Sequence, residues 1–159
     1  MSNLKVTFMQ TAIKHNWFYA CSPETIWDYL TKPELLSQWV MKNDIQPIVG
    51  HRFMFTTNPY PEMEFDGNVY CEILEVVPFK KLSYSWKGGP AAGQTTMDSV
   101  VTWLLKPRDN GTELFLEHTG FGELVNKKLY EGMNAGWKKN MEKAEQLIIK
   151  QQANETADH

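Results

Sequence analysis

Tyr19-Ala20-Cys21-Ser22-Pro23-Glu24-Thr25-Ile26-Trp27-Asp28-Tyr29-Leu30-Thr31-Lys32-Pro33-Glu34-Leu35-Leu36-Ser37-Gln38-Trp39 decides the fold. The stretch writes a strand end, a capped short helix and a second short helix in one line. Ser22 is placed to accept a hydrogen bond from the first free amides of the helix. Pro23 stands where its missing N–H costs nothing, and Glu24 suits the positive helix end. Ile26, Trp27 and Leu30 recur at helical spacing; Pro33 then ends that run and opens another carrying Leu35, Leu36 and Trp39.

Upstream, residues 5 to 21 contain a strand in which Ile13, His15, Trp17 and Tyr19 form one alternating face. Downstream, Phe53 and Phe55 alternate with Arg52 and Met54 until Asn58-Pro59-Tyr60-Pro61 breaks the strand. A third strand is expected from Phe65 to Val77, ended by Pro78, and a fourth from Lys81 to Trp86, with Leu82, Tyr84 and Trp86 on the buried face. Strands near Met97 to Lys106 and Thr112 to Thr119 are joined by Pro107-Arg108-Asp109-Asn110-Gly111, whose final dipeptide suits the positive backbone angles of a tight turn. The sheet is therefore expected to be an antiparallel meander. Lys87 to Thr96 is rich in glycine and lacks apolar periodicity, so it is either a lid or an ordinary hairpin.

From about Glu123 to Gln151 the period changes to that of a helix, with Leu129, Met133, Trp137, Met141, Ala144 and Ile148 on one stripe. Residues 1 to 151 are expected to form one domain, and 152 to 159, which lack core residues, a frayed tail.

Taken in order, these pieces resemble the START-like (SRPBCC) superfamily, and within it the branch related to the C-terminal domain of the activator of heat-shock-protein ATPase. The likeness runs from the opening stretch through Val49-Gly50, Pro78, Leu82 to Trp86, Ser99 to Leu105, Gly111-Thr112 and Glu117-His118-Thr119-Gly120-Phe121 to Gly136-Trp137. It implies an α+β helix-grip fold, a bent antiparallel β-sheet with two short helices and a long C-terminal helix packed across it. Strand alternation and the resemblance together place Phe53, Phe55, Val69, Tyr84, Trp86, Trp103, Leu116 and His118 inward, facing Met133 and Trp137. These residues either line a pocket for a flat apolar ligand or fill the interior.

Of 159 residues, 16 are Lys or Arg and 19 Asp or Glu, interspersed, with a net charge of −3, so no basic stripe offers itself to nucleic acid. Met1 to Thr7 lacks the apolar core of a signal peptide and no stretch reaches membrane-spanning length, so a soluble, cytoplasmic protein is expected. Cys21 and Cys71 then read as reduced, buried thiols. No metal-ligand spacing, phosphate-binding loop, dinucleotide fingerprint or nucleophile elbow occurs, so no metal or cofactor is implied and no catalytic residue is assigned. Glu64, Asp66, Glu72 and Glu75 give the third strand several carboxylates, most of which face solvent by alternation and read as a hydrated edge rather than an acid–base pair. His118 is either a satisfied core histidine or a group that orients a ligand carbonyl.

Three functions are compatible with this reading. The first is binding of a small hydrophobic or aromatic molecule between sheet and long helix. The second, implied by the narrower resemblance, is a stress-related partner of a heat-shock chaperone. The third is a polyketide cyclase-like enzyme with His118 and Tyr84 as proton handlers.

Overall fold

The computed structural model describes residues 12–121 and 127–157. Strand β1 (Ala12–Tyr19) leads into helix α1 (Pro23–Thr31) and the short α2 (Pro33–Leu36). Strands β2 (Lys42–Asn43), β3 (Arg52–Thr56), β4 (Asn68–Val77), β5 (Lys81–Gly88), β6 (Met97–Arg108) and β7 (Gly111–Thr119) follow, and α3 (Lys127–Ala157) closes the chain. The strands form one antiparallel sheet in the order β1-β7-β6-β5-β4-β3-β2. Curled around α3, this is the α+β helix-grip architecture.

The opening stretch folds as its residues dictate. Ser22 Oγ accepts from the Thr25 amide at 3.3 Å, Pro23 occupies the first helical turn, and Ile26, Trp27 and Leu30 are buried. Trp39 then donates its indole N–H to the Tyr29 carbonyl at 3.0 Å and fastens the second helical turn beneath the first. Along β5, Leu82, Tyr84 and Trp86 point inward as alternation requires.

Three details depart from the sequence reading. Asp109, not Gly111, takes the left-handed conformation in the β6–β7 turn (φ 52°). Gly111 already belongs to β7, and there it is close approach that requires glycine: a Cβ would collide with the Tyr19 carbonyl oxygen and the Phe18 ring. Pro107, expected in the turn, continues β6 opposite Thr112.

The third departure is the length of the last helix. Helix α3 continues past Gln151 to Ala157, with polar contacts to the start of the chain near Gln151. Tyr29 Oη donates to Gln151 Oε1 at 2.7 Å, and Gln152 Nε2 donates to the Ala20 carbonyl at 2.8 Å. Further up, Tyr19 Oη donates to the Met141 carbonyl at 2.6 Å, and Tyr130 Oη to that of Ala12 at 2.9 Å. The expected helix start at Glu123 lies outside the described residues, as do the first residues of the expected first strand.

Candidate functional site

The stripe on α3 changes character along its length. Trp137, Met141, Ala144 and Ile148 are buried against the sheet, whereas Met133 and Leu129, one and two turns earlier, are only partly covered. There the helix leaves the concave face, and a cavity of about 300 Å³ opens. Its floor is Val69 of β4, Trp86 of β5 and Met97 of β6; its wall is Leu129, Gly132 and Met133 of α3; Met41, Thr57, Tyr60, Met63 and Phe65 complete it.

The last four belong to the β3–β4 connection, which folds into a compact flap. Tyr60 and Phe65 exchange backbone hydrogen bonds at 2.9 and 3.3 Å, and their rings stack with centroids 6.4 Å apart. Gly67 closes the flap at φ +94°, and a Cβ there would lie 2.5 Å from the Thr57 carbonyl oxygen. The mobile-looking Lys87–Thr96 segment, one of whose readings was a lid, contributes no lining residue; the flap does. The Pro-flanked break at Asn58–Pro61 disguised it, although Met63 and Phe65 just beyond were a signal of apolar residues with a burial site to find.

Of the ten expected site residues, Val69, Trp86 and Met133 line this cavity. Phe53, Phe55 and Tyr84 lie behind it as an aromatic cluster, with ring centroids 5.2 to 6.2 Å apart, and Phe55 reaches Trp86 at 5.3 Å. Trp103, Leu116, His118 and Trp137 are buried in the sealed interior, where Trp103 packs edge-on against Trp39 and Trp137. Met41, Met63, Met97 and Leu129 are apolar lining residues that alternation alone did not single out, because three of the four lie at or beyond strand ends.

His118 is held by a directed chain of hydrogen bonds. Ser99 Oγ donates to the Trp86 carbonyl at 2.8 Å, so it accepts from His118 Nε2–H, also at 2.8 Å; His118 Nδ1 in turn accepts from Trp137 Nε1–H at 3.1 Å. This fixes a neutral imidazole with its proton on Nε2. Protonating Nδ1 would set two N–H donors against each other. Burial lowers the imidazole pKa to about 3. Tyr84, the other expected proton handler, accepts from Trp103 Nε1 at 3.0 Å, and burial holds its phenol proton far above the usual range. Both groups are thus satisfied structural elements of the core.

The carboxylates of the third strand behave as alternation suggested: Glu72 pairs with Arg52 at 3.3 Å and Glu75 with Lys81 at 2.9 Å, all at least partly exposed. Cys21 and Cys71 are free and buried, and burial raises both thiols, Cys21 to about 11. Among the described residues no group of His, Cys, Asp and Glu side chains is arranged to hold a metal, and no helix is long and apolar enough to cross a membrane. The lining offers no carboxylate, amine or imidazole among the described residues; Thr57, Tyr60 and Trp86 are its members with polar side-chain atoms, and the Trp86 indole nitrogen is itself buried without a hydrogen-bond partner among the described residues.

The family model for Activator of Hsp90 ATPase homolog 1-like protein matches residues 20–148. The chain belongs to this family. No curated protein matches it. Among solved structures, it is similar to protein MLL2253 from Mesorhizobium loti (37% identity, TM-score 0.76, covering 87% of this chain and 97% of that one). It is also similar to protein BH1534 from Bacillus halodurans (25% identity, TM-score 0.68, 85% and 94% covered). The Aha1 dimer from Colwellia psychrerythraea shares the fold (20% identity, TM-score 0.66, 82% and 90% covered). The match to the activator-like family begins at Ala20, inside the opening stretch, and ends at Ile148, the last buried residue on the α3 stripe.

Proposed function

We propose that this activator-like chain binds a small hydrophobic or aromatic molecule in the cavity between sheet and α3, without converting it. The observation that carries the reading is the cavity itself: about 300 Å³, the lower end of the range for small-molecule sites, and lined almost wholly by apolar side chains. Four of its eleven lining residues are methionines, unbranched side chains that re-pack around ligands of different outline. The described lining carries no carboxylate, amine or imidazole, which supports binding over catalysis.

Calorimetric titration with tetralin tests this. Met133→Trp should fill the space and weaken binding at least about tenfold, with folding confirmed by circular dichroism, since overpacking can itself cost about 1 to 3 kcal/mol. Undiminished affinity in the folded variant would place the ligand elsewhere. The family match supports a second reading, a partner of a heat-shock chaperone. That reading requires the purified chain to change a chaperone's rate of ATP hydrolysis, and an unchanged rate would remove it.

A further inference from the structure

A helix interior disfavours glycine, and a fold usually keeps one for either of two structural reasons: a backbone angle that side chains avoid, or a neighbour too close to admit a Cβ. Both reasons operate elsewhere in this chain. Gly67 and Gly120 take positive φ, and at Gly89 and Gly111 a Cβ would run into the carbonyl oxygens of Gln94 and Tyr19. Neither operates at Gly132. It lies inside α3 with helical backbone, and an added Cβ meets nothing within 4 Å. Gly136, one turn later, is equally unconstrained. The two differ in their surroundings: Gly132 is exposed and lines the cavity, whereas Gly136 does not line it.

In the same wall, Leu129 and Met133 pack partly against the core, while at Gly132 the wall is bare backbone beside open space. The methionines of the lining can re-pack around a ligand; a helix backbone cannot. Gly132 therefore fixes how much width a rigid molecule finds there. A residue that lowers helix stability and leaves such space unfilled marks a place where binding outranks stability. We infer that Gly132 sets the size specificity of the cavity, and that the ligand is a fused-ring apolar molecule whose edge occupies the space a side chain at this position would fill. This rests on the binding reading above and narrows it, from a small hydrophobic or aromatic molecule to a rigid one broader than a single ring.

The test is calorimetric titration of toluene, a single ring, and tetralin, two fused rings, into wild type, Gly132→Ala, Gly136→Ala and Met133→Trp. Alanine favours the helix at both glycine positions, so a loss of binding in either alanine variant is not a loss of folding. Gly132→Ala should weaken tetralin about tenfold, the worth of one methyl group in an apolar pocket, and toluene less than about threefold. Gly136→Ala alters the same helix outside the cavity and should leave both affinities unchanged. In wild type, bound tetralin should give NMR cross-relaxation peaks to the Gly132 α-protons, a result independent of any variant and of how tightly toluene binds. If Gly132→Ala spares tetralin or weakens both ligands alike, if Gly136→Ala weakens tetralin as much, or if those cross-peaks are missing, while Met133→Trp still weakens tetralin, the Gly132 assignment falls and the site stands. If wild type does not bind tetralin, or folded Met133→Trp binds it undiminished, the site falls and the assignment with it.

Discussion

The two ends of the space between sheet and α3 are built from the same kind of residue and solve opposite problems. Around Trp103 and Trp137, every indole N–H meets an acceptor, the imidazole is locked between two partners, and the side chains interlock. One helical turn away, around Met133, the helix presents a glycine, the sheet presents Met97, and about 300 Å³ stays unfilled. The difference teaches that aromatic content does not distinguish a pocket from a core. What distinguishes them is whether polar tips are paired and whether small or pliable residues face the bulky ones.

The contrast is broken most severely at the sealed end. Trp103→Ala removes a fully buried ring and orphans the Tyr84 hydroxyl, and is expected to cost about 3 to 5 kcal/mol in urea denaturation. A loss below about 1 kcal/mol would mean that this end is no better packed than the other. Acid attacks the same end through His118. The native imidazole stays neutral to about pH 3, while the unfolded chain takes up a proton near 6.5. Between those values the unfolded state binds the extra proton, so stability is complete above about 6.5 and falls as pH falls. The advantage of wild type over His118→Gln should therefore shrink by about 2 kcal/mol between pH 7 and pH 5. Parallel stability curves would show that the imidazole is not held neutral.

At the open end the effects are smaller. Met133→Ala enlarges a space that already exists and should cost only about 1 kcal/mol, below the usual price of truncating a core methionine. Gly132→Ala should raise stability, by about 0.5 to 1 kcal/mol, because an added Cβ meets nothing within 4 Å and a helix interior disfavours glycine. A destabilised Gly132→Ala would mean that the wall is already filled.

The fold was legible because its signals are local: the Ser22 cap, the alternation of Phe53 and Phe55, the stripe from Leu129 to Ile148. The inward faces were legible for the same reason, and all ten expected site residues point into the interior. Which of them border empty space was not. That depends on where a helix axis departs from a curved sheet and on how a Pro-flanked connection folds back, quantities that no single strand encodes. The continuation of α3 past Gln151 was not legible for another reason: Gln151 and Gln152 hydrogen-bond with Tyr29 and the Ala20 carbonyl, a form of attachment invisible to an apolar stripe.

The order of the sheet has a kinetic consequence. Each strand from β2 to β6 pairs with its successor across a local connection, but β1 pairs with β7, bringing Tyr19 opposite Thr112, roughly 90 residues away in sequence. Loop closure over that span costs about 3 kcal/mol more entropy than closing a hairpin of a few residues. The meander therefore assembles first and β1 docks last, so Ile13→Val should speed unfolding while leaving the folding rate nearly unchanged. Until β1 arrives, β7 is an open edge, the place where a second folding chain could lend its own first strand instead.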